Sequence, residues 1–174
     1  SYAKANREPN RSDFEAGTTQ HESLDDFELG WRFKKDGIQL NTNIYYMNYK
    51  NQLVLTGAIN DVGEPIRATS GKSYRLGLEI DANIKLNDVF TIRPNIAIST
   101  NKNEDFHANI DGSLQNLGNT PISNSPNIVA GNALVYQPKS NFQISILSKY
   151  VGEQYLANLG GRVSSIEKLD SYFT

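Results

Sequence analysis

Apolar and polar residues alternate with a period of two through several long stretches of this chain, and the two parities carry different chemistry. One parity reads Phe27, Leu29, Trp31, Phe33; Ile38, Leu40, Thr42, Ile44, Tyr46; Tyr74, Leu76, Leu78, Ile80, Ala82, Ile84, Leu86. It continues as Phe90, Ile92, Pro94, Ile96, Ile98 and Phe142, Ile144, Ile146, Ser148, Tyr150, with no charge anywhere in the set. The other parity reads Glu28, Gly30, Arg32, Lys34; Gln39, Asn41, Asn43, Tyr45; Ser73, Arg75, Gly77, Glu79, Asp81, Asn83, Lys85; Thr91, Arg93, Asn95; and Asn141, Gln143, Ser145, Leu147, Lys149. Successive side chains of a strand point to opposite faces, so this pattern predicts one sheet with an apolar and a polar side. The predicted strands cover residues 23–34, 38–50, 72–86, 89–102, 126–137 and 140–152. The stretch 126–137 fits least well, because Asn132 falls on its apolar parity. Pro94 is a second exception, since proline removes a ladder hydrogen bond.

The connections between these strands alternate between short and long. Lys35-Asp36-Gly37, Asn87-Asp88 and Pro138-Lys139 have tight-turn chemistry. Residues 51–71, 103–125 and 153–168 are long and polar. All tight turns then lie at one end of the sheet and all long loops at the other, as in outer-membrane barrels. The predicted strands run to roughly 12–15 residues, beyond the soluble mode of about 5–6 and sufficient for a tilted membrane strand of about 9–11. The aromatic residues of the apolar parity sit near its two ends. Phe33, Phe90, Tyr136 and Phe142 lie toward the tight turns, and Phe27, Tyr46, Tyr74 and Tyr150 toward the long loops. Eight residues separate Phe142 from Tyr150, which at about 3.3 Å each and a tilt near 40° rises roughly 20 Å, close to the height of an apolar band between aromatic girdles. The expected fold is all-β, an antiparallel up-and-down meander forming part of a transmembrane β-barrel.

Composition adds mainly exclusions. The 174 residues carry a net charge of −2 with scattered basic residues, which argues against nucleic acid as a partner. No cysteine is present, so disulfides and thiolate chemistry do not enter. No apolar run is long enough for a transmembrane helix, a test that barrels escape because polar residues fill alternate positions. The opening Ser1–Arg7 segment reads as the outer half of a strand leaving the membrane, and residues 169–174 as a descending strand just begun. The chain is therefore expected to be a piece of a larger barrel.

Several segments resemble the C-terminal part of the barrel in TonB-dependent outer-membrane receptors, the siderophore-receptor branch above all. Residues 1–9, with Tyr2 and Pro9, look like the family's aromatic-rich strand ending in a surface proline. Glu22, Phe27, Glu28 and Gly30 are similar to its recurrent Glu-x-x-x-x-aromatic-Glu-x-Gly strand. Residues 43–53 resemble the outgoing strand that follows, and residues 71–80, with Gly77 and Glu79, the returning one. The resemblance implies a 22-stranded type of barrel of which residues 1–174 form a part, with the plug domain and terminal strands lying elsewhere. It implies TonB-coupled import of a scarce nutrient, with an iron–siderophore complex as the usual cargo. Its implied partners are the cargo, the energy-coupling complex, the receptor's own plug and outer-membrane lipid of a Gram-negative bacterium. A soluble β-sandwich that binds carbohydrate through Trp31 or the tyrosines is the alternative reading.

Candidate chemistry is sparse. His21 and His107 are the only histidines and fall in separate loops, which does not make a metal site. Glu104, Asp105 and Asp111 lack the spacing of a calcium loop. No catalytic constellation, nucleophile–base pair or cofactor motif occurs, so neither an enzyme nor a cofactor is expected. Arg7, Arg11, Arg67 and Lys72 gather at the long-loop end and are the candidate ligand-binding residues, because a basic rim concentrates anionic cargo. Glu28, Arg32, Arg75, Glu79, Asp81, Lys85 and Arg93 are expected to face the lumen and to pair with one another or with the plug.

Overall fold

The structure, a computed structural model, describes residues 1–15, 17–59, 61–63, 65–69, 71–110, 113–159 and 168–174. Among the described residues, thirteen strands and one short helix follow one another along the chain. They are β1 (Tyr2–Arg7), α1 (Arg11–Glu15), β2 (Glu22–Lys35), β3 (Ile38–Lys50), β4 (Leu53–Ile59), β5 (Pro65–Thr69), β6 (Lys72–Lys85) and β7 (Phe90–Ile110). After these come β8 (Ser113–Pro121), β9 (Ile128–Lys139), β10 (Phe142–Val151), β11 (Gln154–Tyr155), β12 (Lys168–Leu169) and β13 (Tyr172–Phe173). The main sheet runs β1-β2-β3-β6-β7-β9-β10-β13, with β8 paired only to β7. Every pairing is antiparallel. Once the loop strands β4, β5, β8, β11 and β12 are set aside, sequence order and spatial order coincide. This is the expected meander. Among the described residues β1 and β13 are not paired to each other, so the sheet is an open wall. None of the described helices is long and apolar enough to cross a membrane, which says nothing against crossing by strands.

Register keeps the two parities apart. Trp31, Thr42, Ile80, Ile96, Ala130 and Tyr150 are successive cross-strand partners along one row of the apolar side. Arg32, Asn41, Asp81, Asn95, Gly131 and Lys149 form a row on the polar side. The apolar side is open: Leu29 is 71 % and Ile146 64 % exposed. A soluble sandwich covers such a face with a second sheet. Here no second sheet lies against it among the described residues. Ring contacts mark both ends of the face, with Tyr2–Phe27 at 4.9 Å and Tyr46–Tyr74 at 6.2 Å toward the loops, and Phe90–Tyr136 at 4.9 Å near the turns.

Local chemistry explains the turns. Asp36 and Gly37 both have positive φ, 41° and 82°, the backbone of a type I′ hairpin. A Cβ on Gly37 would also come within 3.2 Å of the Lys85 Cβ, so glycine is needed twice over. In the next turn Asn87 Oδ1 accepts from the amides of Val89 and Phe90, at 3.0 and 2.9 Å, an Asx-type closure. Lys85 Nζ donates to Asp88 Oδ1 at 2.9 Å and holds that carboxyl below its ordinary range.

Two expectations need correction. The third tight turn is Ser140-Asn141, not Pro138-Lys139: β9 continues to Lys139, which pairs with Phe142. Pro138 is tolerated because the register shifts between Phe142 and Ile144, leaving no ladder bond for it to break. The long connections are not plain loops either, since β4–β5, the upper part of β7 with β8, and β11–β12 build paired strands within them. Among the described residues no ion pair joins two of Glu28, Arg32, Arg75, Glu79, Asp81, Lys85 and Arg93, which leaves the plug as the partner that the sequence reading also named. Pro94 and Asn132 prove to be cross-strand partners. The β6–β7 ladder lapses beside Pro94, between Asp81↔Asn95 and Ile84↔Ile92, where the missing N–H predicts a gap.

Candidate functional site at the long-loop end

Most of the buried side chains among the described residues gather at the mouth rather than within the sheet. Val54, Phe106 and Leu117 form a buried cluster, with Ala108 and Leu159 packed against it. These residues come from β4, β7, β8 and the segment after β11, so three separate connections share one small core. Burying these apolar side chains is the main reason the three connections pack together here. A polar layer beside the cluster is equally shared. Asn103 is fully buried, and its Nδ2 donates to Thr120 Oγ1 at 3.2 Å and to Asn158 Oδ1 at 3.3 Å. The same Asn158 oxygen accepts from the Ser123 amide at 2.9 Å. Nearer the wall, Ser73 Oγ donates to Gln52 Oε1 at 2.5 Å and Arg75 Nη1 to Ser125 Oγ at 3.0 Å. The Leu53 amide donates to Glu22 Oε2 at 2.8 Å.

A second clamp joins the first connection to β5. Asn10 Oδ1 accepts from the Asp13 amide and Asp13 Oδ2 from the Asn10 amide, both at 2.9 Å, a reciprocal cap on α1. Asp13 then receives Arg67 in bidentate fashion, Nε at 2.9 Å and Nη2 at 3.1 Å. Its side chain is 3 % exposed and that of Arg67 23 %. Water is largely excluded, so removing either partner would leave the other charge poorly solvated and cost more than breaking a surface ion pair. Lys168 Nζ meets Glu153 Oε2 at 2.5 Å across β11–β12; this hydrogen bond raises the lysine above its ordinary pKa.

The four basic candidates end in different surroundings. Arg7 closes β1 opposite Glu22, on the lumen parity, and is exposed. Arg11 is 91 % exposed and pairs with Glu15 one helical turn on. Arg67 is engaged by Asp13. Lys72 stands on the parity of Leu76 and Leu78, the outer side of the wall. The structure does not bring the four together. His107 lies exposed on the β7–β8 hairpin opposite Asn116. Asp111 and the side chain of Asp105 fall outside the described residues. Among the described residues no group of three or more metal-donor side chains converges. The shared loop core was missed from sequence, although Val54, Phe106 and Leu117 were visible as apolar residues inside polar connections.

Below the mouth, the concave polar side of the wall encloses a groove of about 670 Å³ lined by Glu28, Arg32, Asn43, Glu79, Asp81 and Asn95, among others. A curved strand meander, an open apolar outside, a polar inside and structured loops at one end describe a sector of a membrane barrel. The family model described as TonB dependent receptor-like, beta-barrel matches residues 1–174. The chain belongs to the TonB-dependent receptor β-barrel family. This is a family of transport receptors, not of enzymes, whose barrels lie in the outer membrane of Gram-negative bacteria.

Solved structures agree on the fold. The copper transporter OprC superposes with a TM-score of 0.71 at 15% identity, over 99% of this chain and 27% of that one. A mutant of the ferric enterobactin receptor PfeA from Pseudomonas aeruginosa gives 0.72 at 17%, over 99% and 28%. The ferric yersiniabactin uptake receptor FyuA from Yersinia pestis gives 0.67 at 14%, over 99% and 25%. The chain thus spans about a quarter of the length of the receptors it matches. No curated protein is similar enough in sequence to count as a match.

Proposed function

We propose that the receptor containing this TonB-dependent barrel sector imports an iron–siderophore complex across the outer membrane of a Gram-negative bacterium. The observation that carries the reading is the family match over residues 1–174, together with a wall whose apolar side is open and whose loops are built into one mouth. Two of the similar structures are by name receptors for ferric yersiniabactin and ferric enterobactin, which supports iron–siderophore as cargo. A copper transporter among them makes copper the second reading. In this proposal residues 1–174 are part of one barrel domain, completed by strands and a plug from outside this chain. Glu28, Arg32, Glu79 and Arg93, which form no ion pair among the described residues, supply the polar surface against which the plug rests. TonB-type coupling acts through that plug.

Arg7 and Arg11, both exposed at the mouth end, are the residues assigned to attracting an anionic cargo. Arg67 contributes indirectly, by fixing the loop that carries it to α1. Growth of a strain deleted for the gene, on single iron sources, tests the reading. Growth on one siderophore-bound iron source should fail while growth on free ferrous iron persists, and the intact gene should restore it. Normal growth on every ferric source, or a defect in copper uptake instead, would contradict iron–siderophore import.

A further inference from the structure

We propose that Arg75 is a two-position latch on the mouth, holding Ser125 while the loops are docked and Asp26 when they are released. The proposal rests on reading the long-loop end as the cargo entrance, and it names a residue that positions that entrance. Arg75 stands on β6 on the lumen side, in the cross-strand row Asp26–Met47–Arg75–Asn101. Its Nη1 donates to Ser125 Oγ at 3.0 Å, and that hydroxyl donates to the Ser123 carbonyl at 3.1 Å. The Ser123 amide donates to Asn158 Oδ1, the same oxygen that receives Asn103. One guanidinium on the wall thus holds the start of a polar chain running through residues 123–125 to Asn158 and the shared mouth core.

A neutral hydroxyl is the weaker kind of partner for a guanidinium. An ionised carboxylate, matched to its fork of donors, is the stronger. Such a carboxylate lies within reach. Asp26 is two strands away in the same row, roughly 10 Å between Cα atoms, a gap that an extended arginine and an aspartate close together. Asp26 Oδ1 is buried and has no hydrogen-bond partner, and its carboxylate joins no ion pair among the described residues. A buried acceptor without a donor carries its desolvation cost uncompensated. Glu22, the lumen-side carboxylate nearer the mouth, already accepts from the Leu53 amide. Met47 lies between Arg75 and Asp26 in the row, and its Sδ accepts from the Tyr49 hydroxyl at 3.7 Å. Its unbranched, flexible side chain can swing aside as the arginine crosses. Docked, Arg75 supports the polar chain of the loops; released, it satisfies Asp26. Two arrangements that trade one strong contact for several weaker ones are what a switch needs.

Hydrogen exchange on the intact receptor, read in a peptide covering residues 122–124, tests the latch. The amides of Ile122, Ser123 and Asn124 are bonded to the Asn101 carbonyl, Asn158 Oδ1 and the Tyr155 carbonyl, so they report docking. Ser125→Ala should quicken their exchange about tenfold. Asp26→Asn weakens the alternative partner and should slow exchange, the opposite sign. In an Arg75→Gln background exchange should be fast, and adding Asp26→Asn should change nothing further. The two single variants at Ser125 and Asp26 carry the test by themselves, since neither removes the arginine. An arginine that merely braces the loop predicts no slowing in Asp26→Asn. Unchanged or faster exchange in that variant, unchanged exchange in Ser125→Ala, or an equal effect of Asp26→Asn with and without Arg75 would overturn the proposal. Exchange needs no cargo, which separates the two levels. A receptor that shows this pattern and imports no ferric source contradicts the import reading alone, whereas one that imports iron without the pattern overturns only the latch.

Discussion

Glu79 and Ile80 are adjacent in sequence and stand on opposite sides of the wall: Glu79 lines the groove, and Ile80 lies in the row Thr42–Ile80–Ile96 on the apolar side. An arginine at position 80 would face hydrocarbon near midplane, at a cost of about 2–4 kcal/mol. At position 79 it would face the aqueous groove, so Glu79→Arg should destabilise the intact receptor less than Ile80→Arg when unfolding is measured in vesicles. Equal costs would mean that the faces are reversed or that Glu79 is held by a charge on the plug. Face assignment was legible from sequence because a strand's period is two, and one parity here is free of charge. Contacts within a face were not. Gly77, read as a member of the polar parity and of the family-like returning strand, lies under the ring of Tyr45, where an added Cβ would come within 2.4 Å of the ring. That cross-strand pairing depends on register, which alternation alone does not set.

Among the elements, the six long strands were legible because their lengths and turns agree with their alternation. The mouth was less so. Residues 103–110 continue β7 beyond the membrane and pair with β8 in an irregular register, where polar residues conceal any period. Pro138 misplaced a turn because its lack of an N–H breaks a strand only where a ladder bond is required. The Asp13–Arg67 clamp joins segments 54 residues apart and has no local signal at all. Asp13→Ala would leave Arg67 three-quarters buried without its carboxylate, a local loss of about 1–3 kcal/mol. Hydrogen exchange should then quicken at the amides of Asp13 and Thr18, which are bonded to Asn10 and Asp13. Unfolding of the wall should stay unchanged. Unaltered exchange at these amides would show that the clamp does not hold the first connection to β5.

At the scale of the whole molecule, an ordinary protein core is replaced by two surfaces and a cap. Hydrophobic side chains of β2, β3, β6, β7 and β10 face outward, polar ones face the groove, and most of the buried apolar residues lie at the mouth. That arrangement is stable only if the outside meets lipid, since a water-exposed apolar face of this extent is not tolerated by a soluble monomer. These 174 residues hold no cysteine, so once any cysteine elsewhere in the receptor is replaced, single cysteines can report each position. The most direct measurement labels positions 76 and 78 to 82 one at a time with a fluorophore, leaving out Gly77, where a side chain would meet the Tyr45 ring, in the intact receptor in vesicles, and compares quenching by a lipid-bound nitroxide with quenching by a water-soluble one. Positions 76, 78, 80 and 82 should respond to the lipid quencher, and 79 and 81 to the aqueous one. A response that does not alternate, or one in which residues 79 and 81 report lipid, would contradict the barrel wall described for this chain.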